Sequence, residues 1–178
     1  ACYAGFIGDY LVVAGGWNFP EPGKKKYYSS IYAAKGTGNE ETLQWEMIGN
    51  LPEPAAYGGV VASGDSLILV GGCNTEHSLR TVLSIHLDQE NGKPILKSLP
   101  DLPCTVDNMG VCLLNTRLFV VGGNQDGRPS ASVLTMEIGK DEKWTLETEL
   151  LGEPRVQPVC AAYKNELFVW GGFYENGK

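Results

Sequence analysis

The sequence predicts an all-β protein, and three observations support this fold class. A short apolar run ends in Gly-Gly four times, and each run begins with a leucine five residues before its second glycine. The 178 residues include 23 glycines and 10 prolines, which suits a turn-rich chain of short strands. No long stretch with a helical period competes with this pattern. The four runs are Leu11–Gly16, Leu67–Gly72, Leu118–Gly123 and Leu167–Gly172.

The spacing of the four runs indicates a propeller built from repeats. Successive copies are 56, 51 and 49 residues apart. A strand that ends in Gly-Gly and recurs about every 50 residues is the signature of kelch repeats, which form the four-stranded blades of a β-propeller. We therefore expect a kelch-type β-propeller in which residues 1–52, 53–103 and 104–153 form blades and residues 154–178 form half a blade.

Each repeat predicts four antiparallel strands that follow one another along the chain. The expected strands are, in the first repeat, Tyr3–Ile7, Tyr10–Ala14, Tyr28–Ala34 and Leu43–Ile48; in the second, Gly59–Ala62, Ser66–Val70, Thr81–Leu87 and Ile95–Leu99; in the third, Gly110–Leu114, Arg117–Val121, Ser132–Ile138 and Lys143–Thr148; and in the fourth, Val159–Tyr163 and Glu166–Trp170. Trp45 and Trp144 fall in outer strands, where kelch blades typically carry a tryptophan.

Turns and prolines separate these strands. Because proline cannot donate to a ladder, the links at 51–54, 99–103 and 152–154 mark where one blade ends and the next begins. A propeller closes with about 4–8 blades, so we expect further blades of the same polypeptide, or self-association, to cover the apolar flank of the last repeat. Two-residue turns are expected at Gly8-Asp9, Gly64-Asp65, Asn115-Thr116 and Lys164-Asn165.

Composition and motifs exclude several function classes. The net charge of −7 argues against a nucleic-acid partner, which needs a basic face. No run approaches the ~20 apolar residues of a membrane span. Phosphate loops, nucleophile elbows and metal motifs are missing, so we expect no cofactor and no metal. The five cysteines show no CxxC spacing and are interpreted as small buried hydrophobes, with a disulfide or metal role as the alternative.

The antiparallel order gathers polar residues on one face. Loops between second and third strands share an end of the blade with the links between blades, where an axial pocket opens. The residues expected on this face are Asn18, Glu21, Lys24, Asn74, Glu76, His77, Arg80, Asn124, Asp126, Arg128 and Glu175 from the loops, and Glu53, Asp101, Asp107, Arg155 and Gln157 from the links.

Five of these residues are candidates for substrate binding. Arg155 precedes an innermost strand and can point into the channel; the alternative is an ion pair at a blade junction. Gln157 lies in the same link, and Arg80 lies further into a loop. Asn18 follows its Gly-Gly by two positions, as Asn74 does, which turn geometry also explains. Glu21 lies on the same face without a motif behind it.

Several stretches are similar to one enzyme family. These are Ala4-Gly5-Phe6 with Asp9-Tyr10-Leu11, Lys25-Lys26 with Tyr28-Ser29, Ala56-Tyr57-Gly58, and Pro154-Arg155-Val156-Gln157 before the last Gly-Gly. Together they resemble the N-acetylneuraminate epimerase (sialate mutarotase) family, whose members are six-bladed kelch propellers. In the linear members the Pro-Arg-x-Gln blade comes before the Ala-Tyr-Gly blade, whereas here the order is reversed. The resemblance therefore points to the cyclically permuted branch, with about three and a half of six blades in this chain.

The resemblance implies an enzyme, an isomerase that interconverts the anomers of N-acetylneuraminate by acid–base ring opening. The substrate is a sugar acid, and Arg155 is the first choice to contact its carboxylate. The family's acid–base Glu and neighbouring Arg lie in a blade that we do not find here, so no catalytic residue is assigned. The family also implies a periplasmic or secreted location. The alternatives are a kelch module that binds another protein and a different sugar-binding propeller.

Overall fold

The computed structural model describes residues 1–36 and 43–174, and these residues form a series of antiparallel β-sheets. Helices are absent from these two ranges, so neither contains a helix able to cross a membrane. The all-β prediction is confirmed.

The first repeat contains β1 (Tyr3–Ile7), β2 (Tyr10–Ala14), β3 (Trp17–Glu21), β4 (Lys24–Tyr27), β5 (Ser30–Lys35) and β6 (Glu46–Asn50). The second contains β7 (Gly59–Ser63), β8 (Ser66–Val70), β9 (Val82–Leu87) and β10 (Pro94–Leu99). The third and fourth contain β11 (Val106–Asp107), β12 (Gly110–Leu114), β13 (Arg117–Val121), β14 (Asn124–Gln125), β15 (Arg128–Pro129), β16 (Ser132–Glu137) and β17 (Thr145–Glu149), followed by β18 (Val159–Tyr163) and β19 (Glu166–Trp170).

Three of the sheets are four-stranded meanders, as the repeats predict. Their orders are β1-β2-β5-β6, β7-β8-β9-β10 and β12-β13-β16-β17, and β18 pairs with β19. The first strands of successive sheets contact each other, β1 with β7, β7 with β12 and β12 with β18. The first strands are therefore innermost, as in a propeller. The limits between the repeats stay a prediction.

Observed and predicted strands agree best for the two inner strands of each repeat. The second strand has the predicted bounds in all four repeats, and the turns between first and second strands lie where expected. Lys164 and Asn165 both have positive φ, as a type I′ turn requires. The outer strands of the first and third repeats begin later than predicted, at Glu46 and Thr145, and each contains a register shift within its pairing with the third strand. Trp45 and Trp144 therefore come directly before these strands.

Two further small sheets lie in the loops and links. Strands β3 and β4 form a hairpin, and β11, β14 and β15 form a three-stranded sheet. The sequence predicts loops for these segments, because they lack the apolar alternation of a half-buried strand. They rigidify the segments that carry the candidate residues.

The Gly-Gly motif joins neighbouring sheets at close range. Gly71 has φ +53°, and a Cβ built on it would lie 2.3 Å from the carbonyl oxygen of Val106 in the next link. The N–H of Gly72 donates to that same carbonyl at 2.8 Å. Two other motifs repeat this contact, at Gly15-Gly16 with Ala55 and at Gly122-Gly123 with Arg155. Apolar clusters fill the space between the sheets below these contacts.

Candidate functional site

Side chains from the loops and the links meet at one end of the sheets. Asn74 Nδ2 donates to Glu53 Oε2 at 2.9 Å, and His77 Nε2 lies 3.2 Å from the same oxygen. Asp126 Oδ1 accepts from the backbone N–H of Thr105 at 3.0 Å. Each of these contacts joins a loop between second and third strands to a link between sheets. The predicted sharing of one face is confirmed, and we call it the loop–link face.

A row of three residues crosses the loop–link face along the innermost strands. Tyr57, Asn108 and Gln157 each precede the first strand of a sheet by two positions, and their φ angles are +58°, +52° and +56°. The N–H of Asn108 donates to the Tyr57 carbonyl at 2.8 Å, and the N–H of Gln157 donates to the Asn108 carbonyl at 2.7 Å. Gln157 Nε2 also donates to Asn108 Oδ1 at 2.9 Å. We call these three residues the axial row.

A buried carboxylate orients the middle of the axial row. Asp107 is 7% exposed and accepts three hydrogen bonds from neutral side chains. Its donors are Ser78 Oγ at 2.6 Å, Asn108 Nδ2 at 2.7 Å and Asn124 Nδ2 at 3.0 Å. Because Asn108 donates to Asp107 through its nitrogen, its Oδ1 is left to accept from Gln157. The two amides are therefore fixed in orientation by one carboxylate.

A lysine surrounded by aromatic rings adjoins the other end of the axial row. Lys25 Nζ lies 4.3 Å from the centroid of Trp17, 4.7 Å from that of Tyr27 and 4.6 Å from that of Tyr57. It also donates to the Tyr57 hydroxyl at 3.1 Å. Burial acts to lower the pKa of Lys25, but hydrogen bonds with the Tyr27 and Tyr57 hydroxyls outweigh it and the net pKa is raised. Lys25 is therefore a cation at neutral pH.

The pKa of Cys73 is influenced by both the buried carboxylate and the aromatic lysine. Burial raises the pKa of its thiol, and the charge of Asp107 raises it further. A hydrogen bond with Tyr27 and the charge of Lys25 act in the opposite direction. The net pKa of the Cys73 thiol is raised, because burial and the charge of Asp107 outweigh the influence of Tyr27 and Lys25.

Two of the five predicted binding residues lie together in one link. Gln157 is part of the axial row. Arg155 lies two positions earlier, and its Nη1 donates to the Gly171 carbonyl at 3.4 Å. The positions equivalent to Arg155 in the two preceding links are Ala55 and Val106, which are buried between sheets. Arg155 therefore places a charged side chain where the other links are apolar.

The other three predicted residues are distributed around the loop–link face. Asn18 Oδ1 accepts from the Tyr28 hydroxyl at 2.8 Å. The exposed carboxylate of Glu21 pairs with Lys24 across the turn of the β3–β4 hairpin. Arg80 Nε lies 3.5 Å from Asp101 Oδ2, so its charge is already partnered. Glu175, also expected on this face, lies outside the described residues.

Tyr57, Asn108 and Lys25 are not among the binding residues predicted from the sequence. The repeat itself contains the signal for the first two, because Tyr57, Asn108 and Gln157 recur 51 and 49 residues apart. They share no chemistry beyond a polar group, and a tyrosine with positive φ is not expected from sequence. Lys25 is one of three consecutive lysines in the sequence, and its aromatic surroundings arise only in the fold, which brings Trp17, Tyr27 and Tyr57 together.

Comparisons with known proteins indicate one fold, and part of the sequence is similar to one group of enzymes. No family model matches the chain. The chain is 31% identical over 99 residues to the N-acetylneuraminate epimerase of Yersinia enterocolitica, which covers 51% of this chain and 25% of that protein. The epimerase of Pasteurella multocida is 33% identical over 85 residues, covering 38% of this chain and 21% of that protein. The chain thus aligns with about a quarter of the length of these epimerases.

Two further similarities extend over nearly the whole chain. The Kelch repeat and BTB domain-containing protein 2 of Cowpox virus is 24% identical over 177 residues, covering 98% of this chain and 29% of that protein. The solved structure of YjhT superposes with a TM-score of 0.78 at 13% identity, covering 96% of this chain and 58% of that one. This chain therefore has a kelch-type β-propeller fold, and half of its sequence resembles the N-acetylneuraminate epimerases.

Proposed function

We propose that the propeller to which these blades belong interconverts the anomers of N-acetylneuraminate. The observation that carries this proposal is the 31% identity with an N-acetylneuraminate epimerase over 99 residues. The loop–link face supports it, because cations, amides and a buried carboxylate converge there from separate repeats. The reversed order of the Ala-Tyr-Gly and Pro-Arg-x-Gln stretches leads us to propose also that the chain belongs to the cyclically permuted branch.

The reaction requires groups of the kind that this face offers. Ring opening removes a proton from the anomeric hydroxyl and delivers one to the ring oxygen, and a positioned acid–base group contributes about 10²–10⁴-fold. The carboxylate of a sugar acid favours a cation, and its hydroxyl and acetamido groups favour fixed amides. Arg155 and the amides of Asn108 and Gln157 are suited to these contacts. We assign no acid–base residue in this chain.

A kelch module that binds another protein is the second candidate. The similarity to the Cowpox virus kelch protein favours it, since that alignment covers 98% of this chain against 51% for the epimerase. The two candidates differ in what they require of the loop–link face. An enzyme needs a narrow polar pocket, whereas a protein partner needs a broad surface of about 800 Å².

The test is a proton NMR time course of freshly dissolved N-acetylneuraminate. It uses the natural reading frame that contains this chain and, separately, the 178-residue chain. We expect the former to equilibrate the anomers faster than buffer. Arg155→Gln should reduce the acceleration roughly tenfold or more, the loss of one charge-assisted contact. Arg117→Gln is the matched control, because Arg117 lies at the opposite end of β13 and pairs with Glu147. Equilibration at the buffer rate would refute the proposed reaction.

A further inference from the structure

Lys25 differs from the two lysines beside it in what surrounds its charge. Lys24 pairs with Glu21, and Lys26 lies 5.1 Å from the single ring of Tyr28. Lys25 is surrounded by three rings, and the hydroxyls of Tyr27 and Tyr57 act on its ammonium group. The ion pairs found in residues 1–36 and 43–174 do not include Lys25. Its charge is therefore held in place without being neutralised by a carboxylate there.

The aromatic surroundings make Lys25 a good anion ligand. Ring faces attract the ammonium and restrict the motion of its long side chain, so little entropy is lost when a ligand binds. The hydroxyls of Tyr27 and Tyr57 accept at most two of its three N–H groups, which leaves a donor for an incoming anion. The side chain is exposed to solvent. An anion can thus reach a preorganised cation.

The position of Lys25 indicates which anion fits. Tyr57 contacts Lys25 through its hydroxyl and begins the axial row through its backbone, so one residue connects the cation to the row that carries the oriented amides. Phe19, 55% exposed, packs edge-on against Trp17 at 5.2 Å and offers an apolar surface beside the cation. A cation, an apolar ring and a row of amides match a molecule that combines a carboxylate, an apolar patch and several hydroxyls.

We propose that Lys25 binds the carboxylate of a sugar acid at the loop–link face. This rests on the proposed function and deepens it, because it names the residue that recognises the charged group of the substrate. Lys25 is better placed for this role than Arg155, whose one described contact is a 3.4 Å hydrogen bond to a carbonyl. A substrate carboxylate on Lys25 lies beside Tyr57, which leaves the sugar ring to extend along the axial row.

The test compares N-acetylneuraminate with its uncharged methyl ester. Affinity is measured by saturation-transfer NMR, and anomer equilibration by the time course above, on the natural reading frame. Lys25→Gln should weaken binding of the acid roughly 10-fold to 100-fold and raise its KM with little change in kcat. Binding of the methyl ester should change much less. Lys25→Arg should restore acid binding in part, and Lys26→Gln is the matched control.

The outcomes separate this inference from the proposed reaction. The inference is wrong, and the reaction stands, if anomerisation is accelerated but Lys25→Gln weakens binding of the acid and of the ester equally. The same conclusion follows if Arg155→Gln, and not Lys25→Gln, weakens binding of the acid more than binding of the ester. If anomerisation is not accelerated but the acid binds and Lys25→Gln weakens it, the site stands and the reaction is wrong. If the acid neither binds nor reacts, both are wrong. A thermal unfolding curve for each variant excludes loss of fold as the cause.

Discussion

Tyr3 shows how a single polar side chain joins two sheets. It is 2% exposed at the start of β1, and its hydroxyl donates to the carbonyl of Gly71 at the end of β8. Burial raises the pKa of this hydroxyl, and the nearby Cys73 and Glu53 add to the effect. The phenol is therefore neutral, and able to donate its hydrogen bond, at neutral pH.

Tyr3→Phe should lower the free energy of unfolding by about 1–3 kcal/mol, because the Gly71 carbonyl loses its donor in a buried site. The measurement is urea unfolding followed by tryptophan fluorescence. Tyr10→Phe is the control, since Tyr10 lies on the neighbouring strand and is 36% exposed. Equal stability of the two variants would show that the hydroxyl of Tyr3 contributes nothing to holding the sheets together.

The cysteines differ in burial, and we expect their reactivity to increase with their exposure. All five thiols are unpaired, and Cys2 is exposed. Burial raises the pKa of Cys160 to about 12, and the neighbouring Cys112 adds to this rise. Since the thiolate is the reactive form, Ellman's reagent at pH 8 should modify Cys2 quickly and Cys160 only after unfolding. Peptide mapping identifies the labelled residues, and fast modification of Cys160 in the folded protein would contradict the assignment.

The same thiol should make stability depend on alkaline pH. The folded state keeps Cys160 protonated, while the unfolded chain loses that proton near pH 9. The contribution of Cys160 is therefore complete below pH 9 and is lost as the pH rises toward 12. We expect the urea midpoint to fall between pH 9 and pH 11 by less in Cys160→Ala than in the natural chain. An identical fall of the urea midpoint in both proteins would contradict this role of Cys160.

At the scale of the element, the Gly-Gly motif places two demands on one residue. Gly71→Ala introduces a Cβ into a left-handed conformation and brings it within 2.3 Å of the Val106 oxygen and 2.7 Å of Met109 Cε. Gly64→Ala has nearly the same φ, +55°, but no atom lies within 4 Å of its Cβ. The pair therefore separates backbone strain from the contact between sheets.

Gly64→Ala should cost about 1–2 kcal/mol, the strain of a left-handed residue. Gly71→Ala should cost roughly 1–3 kcal/mol more, because the neighbouring link has to move. Chemical denaturation of the two variants measures the difference. Similar losses in both would mean that the motif serves only the turn at the end of the strand.

How far the sequence predicts an element depends on what holds it in place. The inner strands β1, β2 and β13 have their predicted bounds, because apolar residues and tight turns define them locally. The β3–β4 hairpin was missed, since Trp17–Tyr27 contains Pro20, Pro22 and three consecutive lysines instead of an alternating pattern. The two strands are held together by backbone hydrogen bonds that the side-chain pattern does not indicate. At the base of the hairpin, for example, the N–H of Tyr28 donates to the Gly16 carbonyl.

The outline of the candidate site was predictable from the order of the strands. The antiparallel order was enough to bring Asn74 to Glu53 and Asn124 to Asp107. It did not indicate the axial row, whose left-handed backbone at Tyr57 is set by hydrogen bonds between links. Nor did it indicate that the aromatic rings of two separate segments meet around Lys25.

At the scale of the whole molecule, the last sheet of the 178-residue chain presents an apolar flank. Trp170 ends β19 and is 52% exposed, whereas Val70 and Val121 at the equivalent positions of β8 and β13 are fully buried by the next sheet. Val159 and Phe173 add to this flank, at 62% and 53% exposure. The apolar residues here have no neighbouring sheet among the described residues to cover them.

We expect the 178-residue chain, produced alone, to self-associate through this flank, because burial of its aromatic and aliphatic surface is worth about 25 cal/mol per Å². Light scattering coupled to size-exclusion chromatography should show a mass that rises with concentration. Trp170→Lys combined with Val159→Lys should shift the chain toward monomer, and Leu151→Lys, at a 93% exposed link position, is the control. A monodisperse, folded monomer at every concentration would show that the flank does not drive association.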